Sequence, residues 1–290
     1  MKKSNMILGC GLLISTLAGC TDATAKLSDS SSTLFTIGNA TITKGEVYSM
    51  MFNGSGASVA VNDAESYIAK QEIEITDEMK ESAQGTLDMY TTYYGDSFTK
   101  YLEDMEMSEE DYLNEYLIPG LQADELPKKY VEEKFDELVE TFAPYKATIL
   151  SFTSEDDAKA ALSELNDGTA TAEEAATNHN SSSSGKSQMY TIESTDLDSM
   201  ARTVLTSMTV DDGWAFISSS DGATFYVLRM DEKDPEAMHD EIKDTLANIS
   251  NVQNDAKTYW FKKYNFHVYD IDLYNAIKAD FPDNLVQDLQ

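Results

Sequence analysis

Few side chains in this 290-residue chain are equipped for covalent or metal chemistry, and their positions narrow the options further. There are two thiols, Cys10 and Cys20, and three histidines, His179, His239 and His267. A base-activated nucleophile, or a metal held by imidazole and thiolate, needs such groups brought together. The histidines fall in a polar loop, at a helix start and in an apolar tail, so a catalytic set would require distant segments to converge. Carboxylates are abundant, 52 against 21 Lys plus Arg, yet no Asp-x-Asp-x-Asp-Gly loop organises them around a cation. Tyrosine and methionine, with 16 and 13 residues, are better supplied, and both make adaptable contacts with apolar segments. Tyr90, Tyr93, Tyr94, Phe98 and Tyr101 crowd one stretch. They suit a surface that receives apolar segments of other chains, and core packing between helices is the competing role for most of them.

The N-terminus carries chemistry of another kind. Lys2 and Lys3 precede an apolar run from Met6 to Leu17, and small residues lead into Cys20. A charged start, a short apolar segment and small residues before a cleavage point describe a secretory signal. The run is too short to stay in a bilayer as a spanning helix. Leu17-Ala18-Gly19-Cys20 resembles the lipobox of bacterial lipoproteins, whose thiol takes a diacylglycerol and becomes the first residue after cleavage. That resemblance implies a signal peptide over residues 1–19, lipidation at Cys20, and a place at the extracytoplasmic face of the cell membrane. The membrane is then a partner through the lipid anchor, since several acyl chains hold stably where a single one does not. With Cys10 removed and Cys20 acylated, neither a disulfide nor a thiolate zinc site is expected. No metal and no cofactor is expected elsewhere. The net charge of −31 repels nucleic acid and gains little from anionic headgroups.

Capping residues and apolar periodicity outline the elements that must position these groups. Residues 20–33 are small and polar, a flexible tether. Two short strands around Gly38-Asn39 lead to a helix capped by Thr43 with Glu46, running from Lys44 to about Phe52. Asn53-Gly54-Ser55-Gly56 is expected to break it, with Asn62 or Asp63 capping the next helix. Thr76 caps a longer helix whose stripe is Met79, Ala83, Leu87 and Tyr90, ended by Gly95. Further helices are expected after Ser108 and from Pro127 to Phe142. The texture changes at Pro144. A buried strand from Tyr145 to Phe152 is followed by helices capped at Ser154 and Thr171 and by a serine loop from Ser181 to Ser184. A helix near 197–208 and strands near 214–218 and 225–230 complete a compact α+β unit. Asp234-Pro235 starts a long helix to about Tyr264, whose apolar face, with Ile242, Leu246 and Val252, needs a partner. A short strand through Phe266 to Ile271 and an amphipathic segment to Phe281 close the chain.

Several local strings, in this order and spacing, resemble PrsA-type foldase lipoproteins and periplasmic relatives of the SurA kind. Thr36 to Tyr48, reading TIGNATITKGEVY, resembles the opening of their helical chaperone domain. Tyr93 to Phe98 and Met107 to Tyr112 resemble later stretches of that domain. Ala147-Thr148-Ile149-Leu150, the Asn166-Asp167-Gly168 stop and the helix from Ala172 to Thr177 resemble the first half of a parvulin domain. Val268 to Leu273 resembles the tail that returns to the helical module. The resemblance spans nearly all of the chain beyond the signal. It implies an α+β fold in which residues 34–143 and 234–290, the N-terminal helices plus the C-terminal long helix, form one helical chaperone module. A parvulin-like domain is inserted over 144–233. It also implies unfolded or newly translocated proteins as partners, and leaves a homodimer open.

Parvulins that isomerise prolyl bonds place two histidines on neighbouring strands beside a proline pocket of Met and Phe. The barrier they lower is about 18–20 kcal/mol and requires no covalent step. The first histidine's Ala-x-His-Ile-Leu strand reads Lys146-Ala147-Thr148-Ile149-Leu150, which puts Thr148 in its place. The second's Gly-Tyr-His-Ile-Ile-Lys reads Thr224-Phe225-Tyr226-Val227-Leu228-Arg229, which puts Tyr226 there. The Gly-Gly-Asp-Leu-Gly-Trp-Phe loop becomes roughly Gly185 to Tyr190, and Met200 falls near the pocket aromatic. The resemblance therefore implies no catalytic residue, degenerate positions at Thr148 and Tyr226 that form a hydrogen-bonded core pair, and a binding groove from Met189, Tyr190, Met200 and Tyr226. The function it implies is a lipid-anchored foldase or holdase with weak or absent isomerase activity. An active isomerase with an altered site is the alternative. A transporter's binding lipoprotein would show two lobes of repeated strand–helix alternation, which this helix-rich chain lacks.

Overall fold

A computed structural model describes residues 23–287, apart from the Asn53 side chain. The signal segment and Cys20 lie outside the described residues. In chain order the elements are β1 (Thr33–Ile37), β2 (Ala40–Thr43), α1 (Lys44–Met51), α2 (Ala57–Glu72), α3 (Asp77–Tyr94), α4 (Asp96–Asp104), α5 (Glu109–Tyr112) and α6 (Ile118–Asp124). Next come α7 (Leu126–Glu133), α8 (Phe135–Phe142), β3 (Tyr145–Phe152), α9 (Glu155–Asn166), α10 (Ala172–Asn178), β4 (Ser187–Tyr190) and α11 (Ser199–Ser207). The last are β5 (Ala215–Ser218), β6 (Phe225–Glu232), α12 (His239–Ala247), α13 (Ser250–Lys263) and α14 (Ile271–Asp280). Helices and small antiparallel sheets occupy separate stretches, an α+β fold. No helix among the described residues is long and apolar enough to cross a membrane.

The chain forms two compact units. One is built from both ends, up to Ile68 and from Trp260 onward; the other spans Ala69–Tyr259. In the first, β1 and β2 pair antiparallel across Gly38, whose φ of 59° suits a tight turn. Thr43 and Glu46 cap α1 reciprocally, as the sequence predicts. Val61, Ile68, Trp260, Phe261, Tyr274 and Ile277 are buried. Two expectations are corrected here. Asn53 to Gly56 does not break the helix; the chain runs on through a π turn over Phe52–Gly56. A Cβ at Gly56 would overlap the Phe52 ring, so glycine there lets the ring lie along the turn. Nor does Phe266 to Ile271 form a strand. A single bridge joins Ala25 to Asp270, and the Asp270 carboxylate caps α14 by accepting from the N–H groups of Asp272 and Leu273 at 2.9 and 3.0 Å.

In the second unit the strands pair antiparallel in the order β4-β3-β6-β5. Central β3 has buried residues on both faces, with apolar side chains at Tyr145, Ala147 and Ile149 on one and Leu150 and Phe152 on the other. Leu150, Phe152 and Val227 pack under α9 and α10; Ala147, Ile149, Leu228 and Met230 pack under α11. Residues 187–190, read from sequence as loop, form the strand that pairs with residues 145–148 of β3. The long helix expected from Pro235 to Tyr264 is two helices. Asn248 and Ile249 donate back only three residues, to Thr245 and Leu246, and Asn248 Nδ2 donates to the Asp244 carbonyl at 2.6 Å. An amide side chain bonding its own helix tightens and ends it. Met238, Ile242 and Leu246 are nonetheless buried, and α12 packs on α7. The helix expected up to Phe142 likewise splits into α7 and α8 at Lys134, where φ and ψ are −120° and 21°.

Candidate functional site

Two features of the second unit qualify. The first is a groove on the α11 side of the sheet, lined by Ile149 and Ser151 of β3, Gln188 and Tyr190 of β4, Tyr226 of β6, and the loops at 183–186 and 196–198. Strand alternation puts these residues together: Tyr226 stands opposite Ser151, and Tyr190 opposite Tyr145. One wall is the serine run. Ser183 Oγ donates to the Ile149 carbonyl at 2.6 Å, and the Ser151 N–H donates to Ser181 Oγ and Ser183 Oγ, both at 3.1 Å. These hydroxyls satisfy β3 beyond the end of β4, where no strand is paired on that edge. Gly185 closes the wall at φ 71°. The groove is small, about 200 Å³, against the ~300–1,000 Å³ of a typical ligand pocket. Burial, then nearby Asp196, pushes the Tyr190 phenol up to about 12. Burial, then Asp198, raises that of Tyr226. Both hydroxyls therefore stay protonated and serve as neutral hydrogen-bonding groups.

Thr148 belongs to the opposite face. It is 2 % exposed and donates to Asp231 Oδ2 at 2.6 Å, an oxygen that also accepts from Ser187 Oγ at 2.6 Å. The other Asp231 oxygen accepts from Arg229 Nε at 2.7 Å, and that guanidinium lies 4.6 Å over the Trp214 ring. In register, Thr148 pairs with Arg229 and Tyr226 with Ser151, so Thr148 and Tyr226 point away from each other. The expected hydrogen-bonded pair is not formed. Met189 shares the Thr148 face, and Met200 is exposed on α11; neither lines the groove. Of the residues singled out from sequence, the structure brings Tyr190 and Tyr226 together there. The histidines stay apart in the second unit. His179 lies 3.1 Å from Glu164, and the His239 ring lies tilted against Phe135 with centroids 4.3 Å apart. His267 belongs to the first unit, beside Tyr269.

The second feature is an array of seven aromatic rings. Tyr90, Tyr93 and Tyr94 end α3, which Gly95 stops with φ 50°; Phe98 and Tyr101 follow on α4, Tyr112 on α5, and Tyr116 on the π turn over Leu113–Leu117. Ring centroids are 4.9 Å apart for Tyr93–Tyr94, 5.9 Å for Tyr90–Tyr94 and 5.8 Å for Tyr90–Phe98. The chain of contacts continues at 5.4 Å for Phe98–Tyr112 and 5.4 Å for Tyr112–Tyr116, with Tyr101 within 6.4 Å of Phe98. Leu87, Phe98 and Leu102 form the buried floor. Above it Tyr93 is 81 % exposed, Tyr94 54 %, Tyr116 48 % and Tyr101 47 %. Among the described residues, no hydrogen bond holds the hydroxyls of these four. Exposed apolar residues scattered singly are ordinary; contiguous ones mark an interaction surface.

No family model and no curated protein sequence matches the chain. The chain is similar to solved PrsA foldases. The foldase PrsA of Streptococcus pneumoniae is 18% identical over 85% of this chain and 98% of its own, with a TM-score of 0.41. The peptidylprolyl isomerase PrsA of Bacillus cereus is 17% identical over 87% and 99%, with a TM-score of 0.42. PrsA of Bacillus subtilis is 17% identical over 86% and 99%, with a TM-score of 0.35.

Three contributors are not marked as such by the sequence: Asp231, Tyr112 and Tyr116. Asp231 had a signal: a carboxylate two residues past Arg229 in an apolar strand must share its face and find a partner. Tyr112 and Tyr116 lie beyond the tyrosine-rich stretch, and only the turn at residues 105–108 returns them to Phe98.

Proposed function

We propose that this chain is an extracytoplasmic, lipid-anchored holdase or foldase that binds unfolded exported proteins without nucleotide. The observation that carries the reading is the seven-ring array, an aromatic surface with a thin floor and four largely exposed tyrosines. Aromatic rings offer large contact area at little entropic cost and adapt to varied apolar segments. Helical segments 34–143 and 234–290 serve as the client-holding module, and 144–233 as the parvulin-like insert. The insert's groove, with Tyr190 and Tyr226, supplies secondary contacts to extended polypeptide and little or no isomerase activity. Cys20 carries the anchor, which keeps the protein at the membrane surface where clients emerge. An unfolded, aggregation-prone client diluted into a stoichiometric excess of the full chain should scatter less light than the client alone. Undiminished scattering overturns the reading.

A further inference from the structure

The seven-ring array lies in a strongly acidic stretch of the second unit. Between residues 77 and 117 twelve carboxylates accompany two cations, Lys80 and Lys100. Lys80 is already engaged, 2.9 Å from Asp77. Glu103, Asp104 and Glu115 flank the array's exposed tyrosines in sequence and are themselves exposed. Elsewhere the chain places its own cations over aromatic rings. Arg229 sits 4.6 Å from the Trp214 centroid, Lys263 4.4 Å from Trp260, and Lys159 5.8 Å from Phe216. Among the described residues no Lys or Arg lies over Tyr93, Tyr94, Tyr101 or Tyr116. Exposed π faces on a carboxylate-rich stretch, with no Lys or Arg over them, are complementary to a cation from outside.

We propose that this surface selects extended segments in which arginine or lysine stands beside aromatic or apolar residues. The inference rests on the holdase reading above and names its substrate class. Ring faces attract a cation through their quadrupole. Neighbouring carboxylates add a screened attraction that an acidic segment would meet as repulsion. The same charge disfavours a second copy of this chain as occupant, because each copy would bring its own carboxylates to the contact. Selection of this kind sorts clients by composition and leaves their order of residues free.

The test measures binding of three labelled peptides to the full chain by fluorescence anisotropy. All share one apolar and aromatic backbone and carry Arg, Gln or Glu at the same three positions. The Arg peptide should bind about tenfold or more tighter than the Glu peptide. The gap should shrink as salt rises from about 0.1 M to about 1 M, where the Debye length falls from ~10 to ~3 Å. Tyr93→Ser and Tyr101→Ser should each weaken Arg-peptide binding about two- to fivefold. Tyr269→Ser, an exposed tyrosine of the first unit, should not. If the Gln peptide binds and the Arg peptide binds no better, the selectivity is wrong while the holdase reading stands. If none of the three binds, the holdase reading itself fails. An Arg preference that survives both tyrosine substitutions places the site elsewhere and overturns the proposal.

Discussion

Asp231 explains why a threonine suffices at position 148. The carboxylate gathers Thr148, Ser187 and Arg229 from three adjacent strands, and the threonine is buried on the face away from the groove. The groove itself is lined by hydroxyls, the Gln188 amide, Lys186 and two aspartates. Its phenols stay protonated at neutral pH, with Tyr190 pushed up to about 12. No histidine lines the groove. The chain is therefore expected to leave a proline-limited refolding phase at its uncatalysed pace of roughly tens of seconds, with Tyr226→Ala making no difference. An acceleration that Tyr226→Ala removes would contradict this. The sequence shows which residues stand at positions 148 and 226 and that no histidine is among them. It does not show their faces, because a side chain's face depends on strand register and an odd offset reverses it. Arg229, not Tyr226, is the true partner of Thr148 across the ladder.

Local capping chemistry made much of the secondary structure legible. Thr43, Thr76, Ser108 and Thr171 each accept a backbone N–H at the helix start where the sequence places them. Other features were not legible: the break at Asn248, whose amide bonds its own helix, the turn at Lys134, and the four residues of β4, which are defined by the β3 edge they meet. The serine run belongs to that second class. It reads as loop and acts as a surrogate strand, and Gly185 permits its close approach to α10. A Cβ at Gly185 would overlap the Ala172 carbonyl oxygen and lie 2.6 Å from its carbon and 2.9 Å from the Glu173 nitrogen. Gly222 has a similar φ of 69° with open space around it. Gly185→Ala should therefore cost more than Gly222→Ala. The first combines backbone strain with displacement of backbone atoms, on the order of 2–4 kcal/mol, and the second strain alone, about 1 kcal/mol. Thermal unfolding checks the order, and equal losses in the two variants would contradict the packing described.

Charge and aromatic exposure act together across the whole molecule. A net charge of −31 opposes self-association through an aromatic surface. Both properties were readable in composition; which tyrosines reach solvent was not, since Phe98 and Tyr101 share one helix and only Phe98 is buried. The α+β class was readable as well. The central claim is that the exposed tyrosines hold unfolded chains. The most direct test is the light-scattering assay run with the triple variant Tyr93→Ser, Tyr94→Ser, Tyr101→Ser beside the unaltered protein. Exposed substitutions of this kind change stability by about 0.5 kcal/mol or less each, so circular dichroism and Tm should stay near those of the unaltered chain. The account predicts that the variant loses most of its protection of the client. Full protection by a correctly folded variant would contradict it.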